Sequence, residues 1–142
     1  NRYTGGGHYG AHVDGALMYA DALPQAVRSD LSATLFLTDP ADYDGGELVI
    51  EDGLQGTRVT LPAGQLVLYP SYSVHRVEAV IRGERLACFS WVESMVRETE
   101  RRELLYELDL SIIQLRGGAT DSPEVVRLTS CYHNLLRMWA SV

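Results

Sequence analysis

The hydrophobic pattern of the chain changes period once, near Val96. Up to that point apolar residues come in short runs separated by Gly, Pro and Asp, the spacing of an all-β sandwich or barrel rather than of βαβ units. Leu31 to Thr38 (LSATLFLT) reads as a strand with apolar residues on both faces. Glu47 to Glu51 (ELVIE), Thr57 to Leu61 and Gln65 to Tyr69 (QLVLY) follow as three more. Asp39-Pro40, Asp44-Gly45-Gly46, Gly53 to Gly56 and Pro62-Ala63-Gly64 punctuate them, and Pro70 ends the last. From His75 the alternation directs His75, Val77, Ala79 and Ile81 inward and Arg76, Glu78 and Arg82 outward. Arg82-Gly83-Glu84 is expected to turn the chain into a return strand from Arg85 to Val92. On that strand Arg85 shares a face with Ala87, Phe89 and Trp91, and hairpin pairing sets this face beside His75.

Beyond Val96 the period becomes 3.6. Leu104, Leu105, Leu108, Ile112 and Leu115 form one stripe of a helix that stops at Gly117-Gly118. Ser122-Pro123 is an N-cap followed by an N1 proline, and a second helix runs to about Ala140. Its stripe holds Val125, Leu128, Tyr132, Leu135, Leu136 and Trp139. The expected division is a β core over residues 1–96 and a helical region over residues 97–142.

Composition narrows the function classes. With 142 residues, 46% apolar and 22% charged, the chain is one globular domain or part of one. A net charge of −7 argues against a nucleic-acid surface and against anchoring on anionic membrane. Cys88 and Cys131 stand far apart without a C-x-x-C pattern, so a reducing, cytoplasmic setting is the expectation. The chain opens at Asn1, directly on a loop and strand rich in candidate ligands. That suggests a start inside a larger domain, lacking N-terminal strands and helices that would also have carried any targeting segment.

The chemistry concentrates in His12-x-Asp14, His75 and Arg85. Residues i and i+2 of a strand point to one side, so His12 and Asp14 can grip one ion from a single strand. His75 lies 61 positions after Asp14 (75 − 14), so the chain must fold back several times to complete the set. Two imidazoles and one carboxylate hold non-haem Fe(II) on one face and leave the opposite positions open. Arg85 follows ten positions after His75 (85 − 75), facing a barrel interior where a guanidinium needs a buried anion, either of the protein or of a ligand. His133 reads as a surface or helix-packing residue, His8 as a loop residue, Asp39, Asp42 and Asp44 as turn chemistry, and Cys88 as a small core filler.

The run N-R-Y-T-G-G-G-H-Y-G-A-H-V-D-G (1–15) resembles the metal-binding segment of the bacterial PKHD-type hydroxylases. These form the prolyl/lysyl-hydroxylase-domain, iron-uptake-associated branch of the Fe(II)/2-oxoglutarate dioxygenases. The likeness continues through residues 30–40, 43–52, 61–77 and 82–97 and into Y-H-N-L-L-R-M-W-A (132–140). It implies a mainly β, double-stranded β-helix (jelly-roll) core with a C-terminal helical segment. It implies Fe(II) on His12, Asp14 and His75, with Arg85 on the distal carboxylate of 2-oxoglutarate and L-ascorbate as a further cofactor. Tyr3, by its place in the motif, and Trp91, by its face, are expected to line the cosubstrate pocket. Gly15 departs from the family, where Asn often follows the metal Asp. Asp14 itself argues for hydroxylation over halogenation, which needs a small residue there. The substrate is open, a small molecule or a peptide, and the C-terminal helices are a candidate homo-oligomer contact. A zinc hydrolase on the same ligands leaves Arg85 unexplained, and a silent binding jelly roll leaves the triad unexplained.

Overall fold

The structure, a computed structural model, describes residues 1–19, 25–51, 56–117 and 122–141. Of the turns expected from the sequence, Gly53 to Gln55 and the Gly118 half of the first helix stop lie outside the described residues. The chain divides into two compact units, Asn1–Glu93 and Ser94–Val142.

The first unit is built from strands β1 (Arg2–Thr4), β2 (Tyr9–His12), β3 (Leu17–Met18), β4 (Val27–Arg28), β5 (Leu31–Phe36) and β6 (Tyr43–Gly45), followed by β7 (Leu48–Ile50), β8 (Thr57–Val59), β9 (Leu66–Pro70), β10 (His75–Val77) and β11 (Val80–Val92). One sheet runs β1-β11-β5-β9, with β6 also on β11, and a second runs β2-β10-β7-β8; β3 and β4 make a separate ribbon. The pairs are all antiparallel. Tyr3, Phe36, Tyr43, Tyr69 and Val80 from the first sheet pack with Leu48, Ile50 and Val77 from the second in one apolar cluster. The unit is thus the expected jelly roll, its two inner faces forming the core.

The region after His75 departs from the sequence reading. No hairpin turns at 82–84. Instead β11 is one continuous strand of thirteen residues, pairing first with β6, then with β1, then with β5. The alternation slips by one between β10 and β11, so Val80 is wholly buried while Ile81 is 80% exposed, the reverse of the expected facing for Ile81. An irregularity in the β6–β11 register between Val80 and Arg82 accompanies the slip. Gly83 serves a close approach rather than a turn. At φ 74° it lies against β6, where a Cβ would collide with the Asp42 carbonyl. The sequence signal Arg-Gly-Glu was real glycine chemistry assigned to the wrong event. His75 and Arg85 consequently sit in different sheets, and Cys88, on the outer face of β11, is exposed instead of filling the core.

The second unit holds α1 (Thr99–Arg116) and α2 (Pro123–Trp139). The Ser122 side chain accepts the Val125 N–H at 3.2 Å, and Pro123 occupies the first turn, as the S-P signal predicts. Leu105, Ile112 and Val125 are buried, but Leu104 and Leu115 are exposed, so the α1 stripe is narrower than the sequence suggested. Leu104 is displaced by one residue, about 100°, from Leu105, which takes the inward position. Guanidinium donors of Arg102 close the chain before α1, reaching the Val96 carbonyl at 2.9 Å and Thr99 Oγ1 at 2.9 Å.

Gly83→Ala is expected to lower stability by roughly 1–3 kcal/mol from the left-handed backbone alone, with the Asp42 collision added. A thermal or urea melt checks this, and an unchanged midpoint would mean that β6 does not lie against β11 there.

Candidate metal centre

His12 and His75 arrive from neighbouring strands of one sheet. They are direct cross-strand partners in the β2–β10 pair, with ring centroids 4.2 Å apart. Asp14 stands just past the end of β2, not within it, and its N–H donates to the Ser71 carbonyl at 3.3 Å. The i, i+2 geometry survives this departure: Val13 between the two ligands is exposed while His12 and Asp14 are half-buried. The donor atoms of the three side chains lie within 4.8 Å of one another. His12 Nε2 is 3.9 Å and His75 Nε2 3.7 Å from the Asp14 carboxylate oxygens. Donors bound at about 2.1 Å on one face of an ion stand about 3.0–3.4 Å apart, so both His–Asp separations are within about 1 Å of that spacing.

Both imidazoles are oriented by the same local device. His12 Nδ1 donates to the Gly10 carbonyl at 2.8 Å, and His75 Nδ1 to the Ser73 carbonyl at 3.0 Å, each two residues upstream. A proton held on Nδ1 leaves the Nε2 lone pair free toward the shared centre, which is the tautomer a metal ligand needs. Asp14 is oriented too. Ser32, buried on β5, donates its hydroxyl to Asp14 Oδ2 and lies 2.8 Å from Ser71 Oγ. Tyr69 packs edge-on against the His75 ring at 5.0 Å. Sequence reasoning missed Ser32, Ser71 and Tyr69. Nothing in the local pattern marks them, because each depends on which strands become neighbours.

Arg85 occupies the middle of β11 and is 1% exposed. Its Cζ lies 5.1 Å from the Phe36 ring centre and 5.5 Å from that of Tyr3, its cross-strand partner. No carboxylate pairs with it among the described residues, and Nε and Nη2 have no hydrogen-bond partner there. Burial pushes the guanidinium below its ordinary value, and the nearby Tyr43 and Tyr3 hydroxyls oppose that only in part. Such a group is costly unless an anion joins it. Arg85, Tyr3, Trp91 and all three candidate ligands line a single cavity of about 500 Å³. Trp91 is six residues along β11 from Arg85, about 20 Å of strand. It stands instead opposite Ser32, the partner of Asp14, and so at the ligand end of the cavity.

Ser32→Ala should weaken ferrous-ion affinity about 10- to 100-fold, the usual effect of releasing a ligand's hydrogen-bonded support, while His75→Ala should abolish it. Anaerobic metal titration reads both, and full binding by the His75 variant would remove that residue from the site.

Residues 1–93 match the 2OG-Fe(II) oxygenase superfamily, and residues 100–141 match the PKHD-type hydroxylase C-terminal domain. The chain is 57% identical over 140 residues to a PKHD-type hydroxylase of Hyphomonas neptunium, covering 99% of this chain and 62% of that protein. With a PKHD-type hydroxylase of Phenylobacterium zucineum it shares 56% over 144 residues, covering 100% of this chain and 63% of the relative. The chain therefore spans about three-fifths of the length of these curated relatives. In fold it is similar to a crystal structure of an oxidoreductase of the 2OG-Fe(II) oxygenase family from Burkholderia pseudomallei. The TM-score is 0.50 at 22% identity, over 63% of this chain and 39% of that one. With both units matched, and 93 of 142 residues in the first match alone, the chain belongs to the 2OG-Fe(II) oxygenase superfamily, and its likeness within that superfamily is to the PKHD-type hydroxylases.

Proposed function

We propose that the protein is an Fe(II)- and 2-oxoglutarate-dependent dioxygenase that hydroxylates its substrate while 2-oxoglutarate is oxidatively decarboxylated to succinate and CO₂. One observation carries the reading: a metal-competent His-Asp-His cluster and a buried guanidinium without a carboxylate partner among the described residues share the wall of one cavity. His12, Asp14 and His75 would hold the ion on one face and leave its other positions to small molecules. Bound there, ferrous iron supplies the activation of dioxygen and the electron transfer that no side chain of the chain can provide.

The remaining work belongs to the protein. Arg85 receives the distal carboxylate of the cosubstrate and so directs its 2-oxo acid end toward the ligand cluster, a charge-assisted contact in a site shielded from water. Tyr3 and Phe36 present ring faces to that cation, and Tyr3 thereby forms part of the cosubstrate end. Trp91, which the sequence placed with the cosubstrate, fits better as a wall beside the metal and the substrate. The Gly10 and Ser73 carbonyls hold both imidazoles by Nδ1, so that Nε2 of each faces the shared centre. A zinc hydrolase would have no use for Arg85. L-Ascorbate is proposed as an accessory on the family likeness alone, as are a cytoplasmic setting and association through the C-terminal helices. No described helix is long and apolar enough to cross a membrane.

Anaerobic addition of Fe(II) and then 2-oxoglutarate to the intact protein should give a visible charge-transfer band that needs both. Arg85→Ala should keep the iron and bind 2-oxoglutarate at least about 100-fold more weakly, the loss of a buried charge-assisted pair. A band of unchanged midpoint in that variant would remove Arg85 from the cosubstrate site.

A further inference from the structure

Tyr43 sits on β6 and is 3% exposed, inside the apolar cluster, yet its hydroxyl has no hydrogen-bond partner among the described residues. A buried phenol without a partner is uncommon and needs a reason. The β6–β11 register supplies one. Tyr43 stands opposite Gly83, and Arg85 is two residues further along β11, so both side chains project to the same face as diagonal neighbours. The phenol and the guanidinium stand within side-chain hydrogen-bonding reach of each other, short of a full hydrogen bond, and Arg85 Nε and Nη2 are likewise buried without a partner among the described residues. Tyr43 does not line the cavity, whereas Arg85 does. The phenol thus belongs to the core around Arg85 rather than to the cavity wall.

Two further features fit this placement. Of the aromatic residues near Arg85, Phe36 has no hydroxyl, Tyr3 already accepts the Asn1 side-chain amide at 2.9 Å, and Tyr69 is engaged by Thr34. Tyr43 is the one of these whose hydroxyl has no full hydrogen bond among the described residues. Gly46, at φ 69°, lets the group close up: a Cβ there would come within 3.0 Å of Arg85 Cδ and 3.4 Å of the Tyr43 ring. Burial also raises the phenol above its ordinary value, so it remains neutral and its oxygen can accept from a guanidinium N–H.

We propose that Tyr43 is a positioning residue for Arg85: its hydroxyl accepts one guanidinium N–H when an anion in the cavity takes others, holding the fork in line for the distal carboxylate of a 2-oxo dicarboxylic acid. In the free protein the two groups stand at the margin of hydrogen bonding, and the arriving charge settles the guanidinium between them. Tyr43 thus sharpens selection of a 2-oxo diacid over a 2-oxo monoacid without touching either.

The inference rests on the dioxygenase reading, and the test separates the two. Anaerobic charge-transfer titrations of the iron-loaded, intact protein compare 2-oxoglutarate with 2-oxobutyrate, which lacks the distal carboxylate, in wild type and Tyr43→Phe. The expected result is roughly tenfold weaker binding of 2-oxoglutarate by the variant, with 2-oxobutyrate and Fe(II) affinity unchanged. The melting temperature of the metal-free variant should stay equal or rise, because an unpartnered buried hydroxyl is lost. An equal loss for both acids, or a lowered melting temperature, would reduce Tyr43 to a packing role. Unchanged 2-oxoglutarate affinity overturns the proposal outright. A wild type that does not distinguish the two acids refutes the cosubstrate reading itself, and the proposal falls with it.

Discussion

A fully buried guanidinium is the constraint around which the first unit is organised. Moving such an ion out of water costs several kcal/mol even after the surroundings relax. The protein offsets part of that cost with two ring faces, Tyr3 and Phe36, and none of it with a carboxylate among the described residues. Three strands converge on the position: β1 supplies Tyr3 as the direct partner, β5 supplies Phe36, and β6 brings Tyr43 alongside. The glycines at 46 and 83 let β6 come in that close. A fold whose longest described strand holds in the interior a cation without a carboxylate partner among the described residues is built to meet an anion from outside.

The ligand cluster follows from the same architecture. Two facing sheets give the interior two walls, and the chemistry is divided between them. His12 and His75 come from the sheet opposite β11, and Asp14 reaches across to Ser71 and Ser32 on the side of β5 and β9. Asp14 is thus tied to both layers, by sequence to the first histidine and by hydrogen bonds to the far strands. The paired histidines gain rigidity from backbone carbonyls two residues upstream, so their orientation depends on strand geometry rather than on distant side chains.

Which parts of this were readable beforehand follows from range. Period-2 alternation and Gly/Pro punctuation exposed β5, β7, β8 and β9, and a capping serine exposed α2, because those signals act over a few residues. The three ligands and Arg85 were readable because each residue type is expensive or improbable inside a β core. What failed required knowledge of neighbours. The Arg82-Gly83-Glu84 run looks like a turn until β6 is known to lie against it, and Ile81 looks buried until the slip before Val80 is seen. Ser32 is an ordinary strand serine in sequence and becomes a support for Asp14 only through pairing. Tyr43 is invisible for the same reason, since its meaning lies in the β6–β11 register.

The most direct measurement is a crystal structure of the intact protein grown without oxygen in the presence of Fe(II) and 2-oxoglutarate. The account predicts one ion bound by His12, Asp14 and His75, and a bound carboxylate against Arg85 in the same cavity. An ion held elsewhere, or Arg85 found paired with a carboxylate of the protein itself, would contradict it.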